Sequence, residues 1–381
     1  MIAVGLMSGT SLDGIDAALV EIVPRGAGYH IDLQAFITQP FPAELARALA
    51  DALPPNAGSV AAAAELHRRL GEAFARTARD VAGARHIDYA ASHGQTLWHD
   101  GERHVTLQVA DPFAIRDALQ TTVCFDFRSG DCAAGGSGAP LVPYVDALLF
   151  ADDREDRVAV NIGGIANITT LPRGAGREPL AAFDTGPGNM LIDAFVLARS
   201  GGRSRYDAGG ALALAGHADD AMLAAMLRDP FFALPPPKST GRERFGPQFF
   251  ERYAALIANL STEDGAATLA ALTAATLAQA ILGAAPAGSR VLLSGGGAHN
   301  EAIVRGLRER LTGYCVERSD TMGIDPDAKE AVAFALLGYE TLRGRASNVP
   351  AATGARYNTP LGAIAPFNLR ALLMKLDAEC A

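Results

Sequence analysis

The feature that most constrains the fold is a succession of short apolar runs and glycine-rich turns that occurs twice along the chain. The first succession begins with VGLMSGTSLDGIDAALVEI (residues 4–22), where two apolar runs flank a turn of small and polar residues. A comparable succession begins at Arg157 with RVAVNIGGIANITTL. Short β-prone runs bounded by glycine predict strands joined by tight returns. We therefore expect two related lobes, each beginning with strands.

Stretches rich in alanine and leucine alternate with these strands and predict helices over 61–81, 188–200, 247–260 and 301–311. The chain is therefore of the α/β class. Its 381 residues exceed the usual size of one domain and suit two lobes. The Gly- and Pro-rich segment 129–144 is a candidate for the crossing between them, although it could equally be one long surface loop. This gives a first lobe over 1–130, with 345–381 as a candidate addition, and a second lobe over 131–344.

Composition excludes several classes of function. The formal net charge is −9, from 33 basic and 42 acidic residues, and no basic run is present, so nucleic acid is not expected as a partner. The four cysteines form no CxxC pair, which favours reduced thiols over disulfides or zinc ligands. Residues 1–9 lack the pattern of a secretory signal, and we expect a cytoplasmic location.

One segment, AATLAALTAATLAQAILGAAPAG (266–288), is nearly long enough to span a bilayer and carries no charge. Its threonines, Gln279 and many alanines suit a helix packed inside a globular domain better than one in lipid. The preceding STED supplies N-cap candidates and acids for a first turn. We therefore predict a buried helix and no membrane partner.

The glycine-rich turns indicate a bound anion, because glycine allows backbone N–H groups to approach phosphate closely. A Walker A loop is excluded, since the three lysines, Lys238, Lys329 and Lys375, follow Pro, Ala and Met. A Rossmann fingerprint fails because Asn300 stands where GGGAHN needs its last glycine. Glycine clusters at the head of each half and after a late strand instead suggest a nucleotide held between two lobes.

The combination of motifs is more specific than any one of them. GLMSGTSLDGID, SHGQT, FDTGPGN, PPKSTGRERFG and DPDAKEAVAFALLGYE together resemble the 1,6-anhydro-N-acetylmuramic acid kinase family, over residues 4 to about 339. That family belongs to the superfamily of actin, sugar kinases and 70-kDa heat-shock proteins. The resemblance implies a two-lobed actin-like ATPase with ribonuclease H-like lobes and the nucleotide in the cleft between them. ATP, Mg²⁺ and a small amino sugar are the implied ligands, and a homodimer is a candidate assembly.

The resemblance also implies an unusual reaction in the recycling of cell-wall sugars. Water activated by Asp184 attacks C1 of 1,6-anhydro-N-acetylmuramic acid, O6 leaves, and O6 takes the γ-phosphoryl group of ATP. The products are N-acetylmuramic acid 6-phosphate and ADP. Glu330 is a candidate second catalytic carboxylate, although a carboxylate at a helix start also favours the helix dipole. Asp184 could alternatively cap its turn, and Asp193 is expected on a helix surface.

Three groups of residues are expected to bind nucleotide. Asp13 and Asp16 are candidate members of a magnesium shell, although either could stabilise the hairpin turn instead, and no metal ligand is assigned. Asn300 could cap the following helix rather than contact ligand. The expected cofactor-binding residues are Gly9, Thr10, Ser11, Leu12, Asp13, Gly14, Ile15 and Asp16 in the hairpin; Gly163, Gly164, Asn167, Gly186, Gly188 and Asn189 in the second lobe; and Gly295, Gly296 and Gly297 after the late strand.

A further set is expected to bind the sugar, with Trp98 as a candidate ring platform. The lactyl carboxylate needs a cation, for which Arg128, Lys238 and Arg242 are candidates. His93, His99 and His104 do not have the spacing of a metal site. The expected substrate-binding residues are His93, Gln95, Thr96, Asp126 and Arg128.

Two rival functions share the nucleotide site. An ordinary sugar kinase would keep ATP and the aspartate base without cleaving a bridge, and an actin-like switch would hydrolyse ATP without a sugar. A serine hydrolase is excluded, because Ala139 occupies the last glycine position of a G-x-S-x-G motif around Ser137. Closure of the two lobes over ligand is also expected.

Overall fold

The structure is a computed structural model that describes residues 1–9, 14–25, 28–53, 58–174, 176 and 181–379, apart from the side chains of 242, 243 and 247. The strands are β1 (Ile2–Ser8), β2 (Gly14–Arg25), β3 (Gly28–Pro40), β4 (Tyr89–Asp100), β5 (Val105–Val109), β6 (Thr122–Phe125), β7 (Arg157–Ile162), β8 (Ile165–Leu171), β9 (Ala181–Pro187), β10 (Arg290–Ser294), β11 (Cys315–Arg318) and β12 (Ala363–Ala365).

The helices are α1 (Ala43–Ala52), α2 (Val60–Ala82), α3 (Pro112–Leu119), α4 (Ser129–Ala133), α5 (Val142–Phe150), α6 (Met190–Arg199), α7 (Ala211–Ala215), α8 (Asp220–Met226), α9 (Arg242–Phe245), α10 (Pro247–Ile257), α11 (Thr262–Ala284), α12 (Glu301–Arg310), α13 (Lys329–Leu342), α14 (Pro350–Thr353) and α15 (Leu369–Ala378). Short 3₁₀ turns cover Ala208–Gly210, Pro230–Ala233, Gly296–His299 and Ser319–Met322. The four predicted helices correspond to α2, α6, α10 and α12.

The chain forms two compact units, Met1–Leu149 with Ala328–Ala381, and Phe150–Asp327. The first unit therefore extends beyond the expected boundary at residue 130 and also takes in α13. Side chains of α5 explain the difference, because Tyr144 donates a 2.7 Å hydrogen bond to Glu340 and Asp146 forms a 2.8 Å ion pair with Lys329, both partners being on α13.

The sheets of the two units share one order of five strands, to which the first sheet adds β12 and β5. The first sheet runs β12-β6-β4-β1-β2-β3, with β5 paired to β4, and the second runs β11-β10-β7-β8-β9. In each, three strands form an antiparallel meander, and two later strands continue the sheet in parallel from the first strand of the meander. This is the ribonuclease H-like arrangement, so the predicted α/β class and the relationship of the lobes are confirmed.

The first sheet is covered on both faces, which is why β1 is buried along almost its whole length. Val4 and Leu6 pack in one core with Phe74 of α2. Gly5, which lies between them in the strand, faces α13, where a Cβ atom would clash with the carbonyl oxygen of Ala331. Glycine thus lets α13 approach β1 closely.

The core of the second unit contains α11. Its N-cap is Ser261, whose hydroxyl accepts from the backbone N–H of Asp264, as the STED sequence predicted. Within the described residues it is the one helix long and apolar enough to cross a membrane, and 72% of its most apolar stretch is buried inside the unit. It packs against α6, α7, α12 and β9, so the apolar composition is explained by burial.

Candidate active site

The glycine-rich hairpin joins β1 and β2, and its tip, Thr10 to Asp13, lies outside the described residues. At its base, the hydroxyl of Ser8 is 2.8 Å from the carbonyl oxygen of Gly14 and 2.7 Å from Oε1 of Gln95. Ile15 is 1% exposed and belongs to the core, which limits any contact with nucleotide to its backbone. Thr38 Oγ1 donates a 2.6 Å bond to Oδ1 of Asp16. The base of the hairpin is therefore firmly tied to its neighbours.

Two of the residues expected to bind sugar, Gln95 and Thr96, make hydrogen bonds within the unit. Gln95 is fully buried, and its amide accepts from Ser8 and donates to the carbonyl oxygen of Thr96 at 3.3 Å. Thr96 Oγ1 accepts a 3.2 Å bond from Gln108. Gln95 lies opposite Ser8 in the β1–β4 register. The side chains of Gln95, on β4, and of Ser8, at the end of β1, are therefore buried together beside the base of the hairpin.

Arg128 and His93 form a partly buried pair in the same unit. Arg128 Nε donates a 2.9 Å bond to His93 Nε2, and Arg128 Nη1 donates to the carbonyl oxygen of Gly138. Burial lowers the pKa of Arg128 to about 10, while the negative charge of Glu330 opposes that change. The guanidinium group therefore stays cationic at neutral pH. Glu330 lies in the first turn of α13, close enough for its charge to act on Arg128.

Asp126 has a strained backbone and lines a small cavity. Its φ of 54° lies in the left-handed region that non-glycine residues rarely adopt, and Ser129 Oγ donates a 2.6 Å bond to its Oδ1. The cavity has a volume of about 120 Å³. It brings together polar and apolar groups from α2, β4, β5, the end of β6 and the β6–α4 turn, including His67, Ser92, His93, Gln108, Phe125, Asp126 and Ser129.

In the second unit, four polar residues form a row across the sheet. Ser294 lies opposite Asn161, Asn161 opposite Asn167, and Asn167 opposite Asp184. The row lies near the carboxyl ends of the parallel strands β7 and β10, the edge where α/β sheets bind ligands. Asn167 and Asp184 were expected to be functional, whereas Asn161 was not.

The carboxylate of Asp184 is held by a segment of the PPKSTGRERFG loop. Ser239 Oγ and the backbone N–H of Thr240 donate to Asp184 Oδ2 at 3.0 and 2.9 Å. The backbone N–H of Asp184 donates to the carbonyl oxygen of Lys238 at 3.0 Å. The ammonium group of Lys238 donates to the carbonyl oxygens of Phe231 and Phe232, so the observed role of this candidate cation is to tie the loop. The side chain of Arg242 lies outside the described part of the loop.

The turns at 163–164 and 186–189 interlock. Gly188 and Asn189 donate backbone hydrogen bonds to the carbonyl oxygens of Gly164 and Gly163 at 2.9 and 2.8 Å. A Cβ atom on Gly188 would clash with that carbonyl oxygen of Gly163. A Cβ atom on Gly186 would be 2.7 Å from the ring of Phe232. Packing within the unit therefore requires two of these glycines, whatever they contact in a ligand.

The three glycines of the Gly295–Gly297 turn differ in how closely other protein atoms approach them. A Cβ atom on Gly295 would lie 2.7 Å from Asn161 Oδ1, and one on Gly297 would clash with the side chain of Ile162. A Cβ atom on Gly296 would meet Asn189 Nδ2 only at 3.8 Å, an ordinary contact. Asn300 is the N-cap of α12 and accepts from the backbone N–H groups of Ala302 and Ile303, so the capping alternative holds.

Asp193, expected on the surface of α6, is instead half-buried near Asp207. Burial, with the nearby charge of Asp207, raises the pKa of Asp193 to about 7. The carboxylate of Asp207 is buried and accepts from the backbone N–H groups of Leu212 and Ala213. Asp193, in the first turn of the helix that follows the FDTGPGN motif, thus has a second acid as its neighbour.

Besides Asn161, three residues that contact the expected site residues were not anticipated from the sequence: Ser8, Ser239 and Thr240. Each lies within a motif that was recognised, GLMSGTSLDGID or PPKSTGRERFG, but its partner is far away in the chain. Ser8 and Gln95 are 87 residues apart, and Thr240 and Asp184 are 56 apart. The one available signal was the presence of hydroxyl residues in motifs that had no other assigned chemistry.

The family model for anhydro-N-acetylmuramic acid kinase matches residues 1–367. The chain belongs to the anhydro-N-acetylmuramic acid kinase family. The anhydro-N-acetylmuramic acid kinase of Gloeobacter violaceus is 44% identical over 375 residues, covering 96% of this chain and 98% of the relative. That of Salinibacter ruber is 41% identical over 379 residues, covering 95% of each. The resemblance seen in the motifs is therefore confirmed, and this anhydro-N-acetylmuramic acid kinase family member is a phosphotransferase.

Proposed function

We propose that the protein uses ATP to open 1,6-anhydro-N-acetylmuramic acid hydrolytically and to phosphorylate O6, in cytoplasmic recycling of cell-wall sugars. Membership of the family over nearly the whole chain supports the substrate and the reaction. The observation that carries the chemistry is the carboxylate of Asp184, held by two donors at the carboxyl edge of the second sheet. An ordinary sugar kinase would share this carboxylate but would not incorporate water into its product.

Asp184 acts as the general base in this proposal. It takes a proton from water as the water oxygen forms a bond to C1, and the C1–O6 bond breaks with its electron pair on O6. O6 then forms a bond to the γ-phosphorus, and the bond from phosphorus to the β,γ-bridging oxygen breaks to release ADP. Glu330 is proposed to assist proton handling, and its charge already acts on Arg128. A base of this kind contributes about 10²- to 10⁴-fold to the rate.

ATP is proposed to bind the hairpin after β1 and the glycine turns of the second unit. The open space at Gly296 fits a group lying directly against the backbone. Within the described ranges no group of three or more His, Cys, Asp or Glu side chains is placed to hold a metal ion. Mg²⁺ in nucleotide sites is commonly bound by one or two carboxylates, water and the substrate phosphates. Among the described hairpin residues, Asp16 is the one proposed to lie in the outer coordination shell of Mg²⁺. When bound, Mg²⁺ neutralises charge on the transferring phosphoryl group.

The sugar is proposed to bind the first unit, where Arg128 and Asp126 present opposite charges near the cavity beside β4. Arg128 is the proposed partner of the lactyl carboxylate, because a guanidinium group matches carboxylate geometry. His93 orients Arg128 through Nε2. Trp98, which is 45% exposed, remains a candidate platform for the ring.

An isotope experiment tests this function. Sugar-dependent release of ADP is measured with 1,6-anhydro-N-acetylmuramic acid, ATP and Mg²⁺ in water enriched in oxygen-18, followed by mass analysis of the sugar. We expect label at C1 and phosphate at O6, with turnover reduced about 10³-fold in Asp184→Asn. An unlabelled phosphorylated sugar would indicate an ordinary kinase, and ADP release without sugar would indicate an ATPase switch. Scattering with and without nucleotide tests closure of the lobes, and sedimentation tests the proposed homodimer.

A further inference from the structure

Three consecutive residues, Lys238, Ser239 and Thr240, wrap around Asp184, and we call them the clasp. One contact is made by the carbonyl oxygen of Lys238, which accepts from the backbone N–H of Asp184. Two more are made by Ser239 Oγ and the backbone N–H of Thr240, which both donate to Oδ2 of the same carboxylate. The clasp therefore holds both the backbone and one carboxylate oxygen of Asp184.

The clasp is anchored by its own lysine. Lys238 Nζ donates to the carbonyl oxygens of Phe231 and Phe232 at 3.0 and 3.3 Å and lies 4.7 Å from the centre of the Phe231 ring. Burial lowers the pKa of Lys238, as expected for a partly buried ammonium group. The ring of Phe232 packs over Gly186, two residues beyond Asp184. The loop therefore contacts β9 at two places, through the clasp at Asp184 and through the ring of Phe232 at Gly186.

A buried carboxylate fixes the two ends of the same loop. Asp229 precedes the clasp, and its side chain is completely buried. Arg244, which follows the clasp, donates to Asp229 Oδ1 through Nε and Nη2 at 2.9 and 2.7 Å. Arg252 Nη1 donates to Oδ2 at 2.9 Å, and the backbone N–H of Phe231 donates to Oδ1 at 3.0 Å. A loop closed in this way at both ends presents the clasp in one geometry.

From this arrangement we propose that Ser239 is a positioning residue that orients the Asp184 carboxylate and favours its ionised form. The inference rests on the proposed role of Asp184 as general base. Rotating the carboxylate about its terminal torsion would break two hydrogen bonds at once. Both donors also stabilise negative charge, so the clasp opposes protonation of the base. This proposal explains the residue types of the PPKSTGRERFG motif. The hydroxyl of Ser239 and the backbone N–H of Thr240 act on Asp184, and the side chains of Lys238 and Arg244 hold the loop in place.

The test compares Ser239→Ala with Ser239→Thr, which restores a hydroxyl, and with Ser204→Ala, an exposed serine in the same unit. Sugar-dependent ADP release is measured across pH with all substrates saturating and limiting in turn. Because Ser239 is exposed, Ser239→Ala should keep its thermal midpoint. We expect kcat to fall about tenfold and the acid limb of kcat/KM to move upward by about half a pH unit, with KM for ATP unchanged. Ser239→Thr should recover most of the rate, and Ser204→Ala should match the wild type.

A second measurement is independent of turnover. The ¹³C resonance of the Asp184 carboxyl, identified by its absence in Asp184→Asn, is titrated in the wild type and in Ser239→Ala. We expect the carboxyl to titrate at lower pH in the wild type. Equal titration in both proteins, or a loss of kcat with an unmoved acid limb, would overturn the positioning role. Failure of the proposed function would appear differently, as a wild type that does not turn over the anhydro-sugar while its Asp184 titration still depends on Ser239.

Discussion

Nε of Arg128 donates a 2.9 Å hydrogen bond to Nε2 of His93, while Nδ1 of the same ring lies 2.9 Å from the carbonyl oxygen of Gly94. An arginine cannot accept, so His93 must carry its proton on Nδ1 and accept through Nε2. Burial first, and the charge of Arg128 second, hold the pKa of His93 well below its usual range. His93 is therefore a neutral acceptor that orients Arg128, and not an acid at neutral pH.

This contact predicts a pH dependence of stability. Below a pH of about 6.5 the unfolded chain binds a proton at His93 that the folded chain does not bind. The free energy of unfolding therefore decreases as the pH is lowered, by about 1.4 kcal/mol per pH unit, until the pKa of His93 in the folded state is reached. His93→Gln lacks this contribution. Urea unfolding of both proteins at about pH 7.5 and pH 5.5 should show a smaller decrease for the variant. Parallel decreases in the two proteins would contradict the neutral assignment.

Arg128→Lys should separate binding of the lactyl group from binding of the rest of the sugar. Lysine keeps a charge but loses the planar fork and the Nε bond to His93. We expect KM for 1,6-anhydro-N-acetylmuramic acid to rise about tenfold, which corresponds to loss of one charge-assisted hydrogen bond. The matched control is 1,6-anhydro-N-acetylglucosamine, which has no lactyl carboxylate and should be affected little. An equal loss for both sugars would assign Arg128 to another part of the substrate.

The strands of the two meanders could be predicted because their signals are local, and the same holds for the position of Asp184 near the end of a strand. Apolar runs beside glycine turns mark the meanders, and Asp184 stands one residue before a Gly-Pro-Gly turn. The lobe boundary could not be placed from the sequence, because the contacts that draw α5 into the first unit, such as Asp146 with Lys329, join residues far apart in the chain. The hydrogen bond between Gln95 and Ser8 could not be predicted for the same reason, since the two residues lie in different strands.

The neighbouring glycines Gly296 and Gly297 should respond differently to alanine. A methyl group at Gly297 clashes with Ile162, so Gly297→Ala should destabilise the unit by about 2 kcal/mol, the usual scale of overpacking. Gly296→Ala meets no close atom and should keep the stability of the wild type.

If nucleotide lies against this turn, however, Gly296→Ala should weaken ATP binding about tenfold or more, because a new methyl group would occupy ligand space. Thermal unfolding and calorimetric titration with an ATP analogue measure the two effects. Unchanged ATP affinity in a stable Gly296→Ala would exclude this glycine from the nucleotide site.

Asp193 and Asp207 together predict that neutralising one acid stabilises the protein above neutral pH. The pKa of Asp193 is raised to about 7 by burial and by the charge of Asp207, whereas an aspartate in an unfolded chain titrates near 3.9. The folded state therefore holds a proton between these values that the unfolded state has lost, and stability decreases as pH rises from about 4 to about 7.

Asn cannot ionise, so Asp193→Asn should match the wild type near pH 4 and exceed its free energy of unfolding by about 2 kcal/mol near pH 8, after allowance for solvent screening. Asp80→Asn, at an exposed position of α2, is the control and should show little change at either pH. Urea unfolding at both pH values measures the difference. An equal change in the free energy of unfolding at pH 4 and pH 8, or a decrease at pH 8, would contradict the prediction. Ionisation of the Asp193 carboxyl would then not destabilise the folded state.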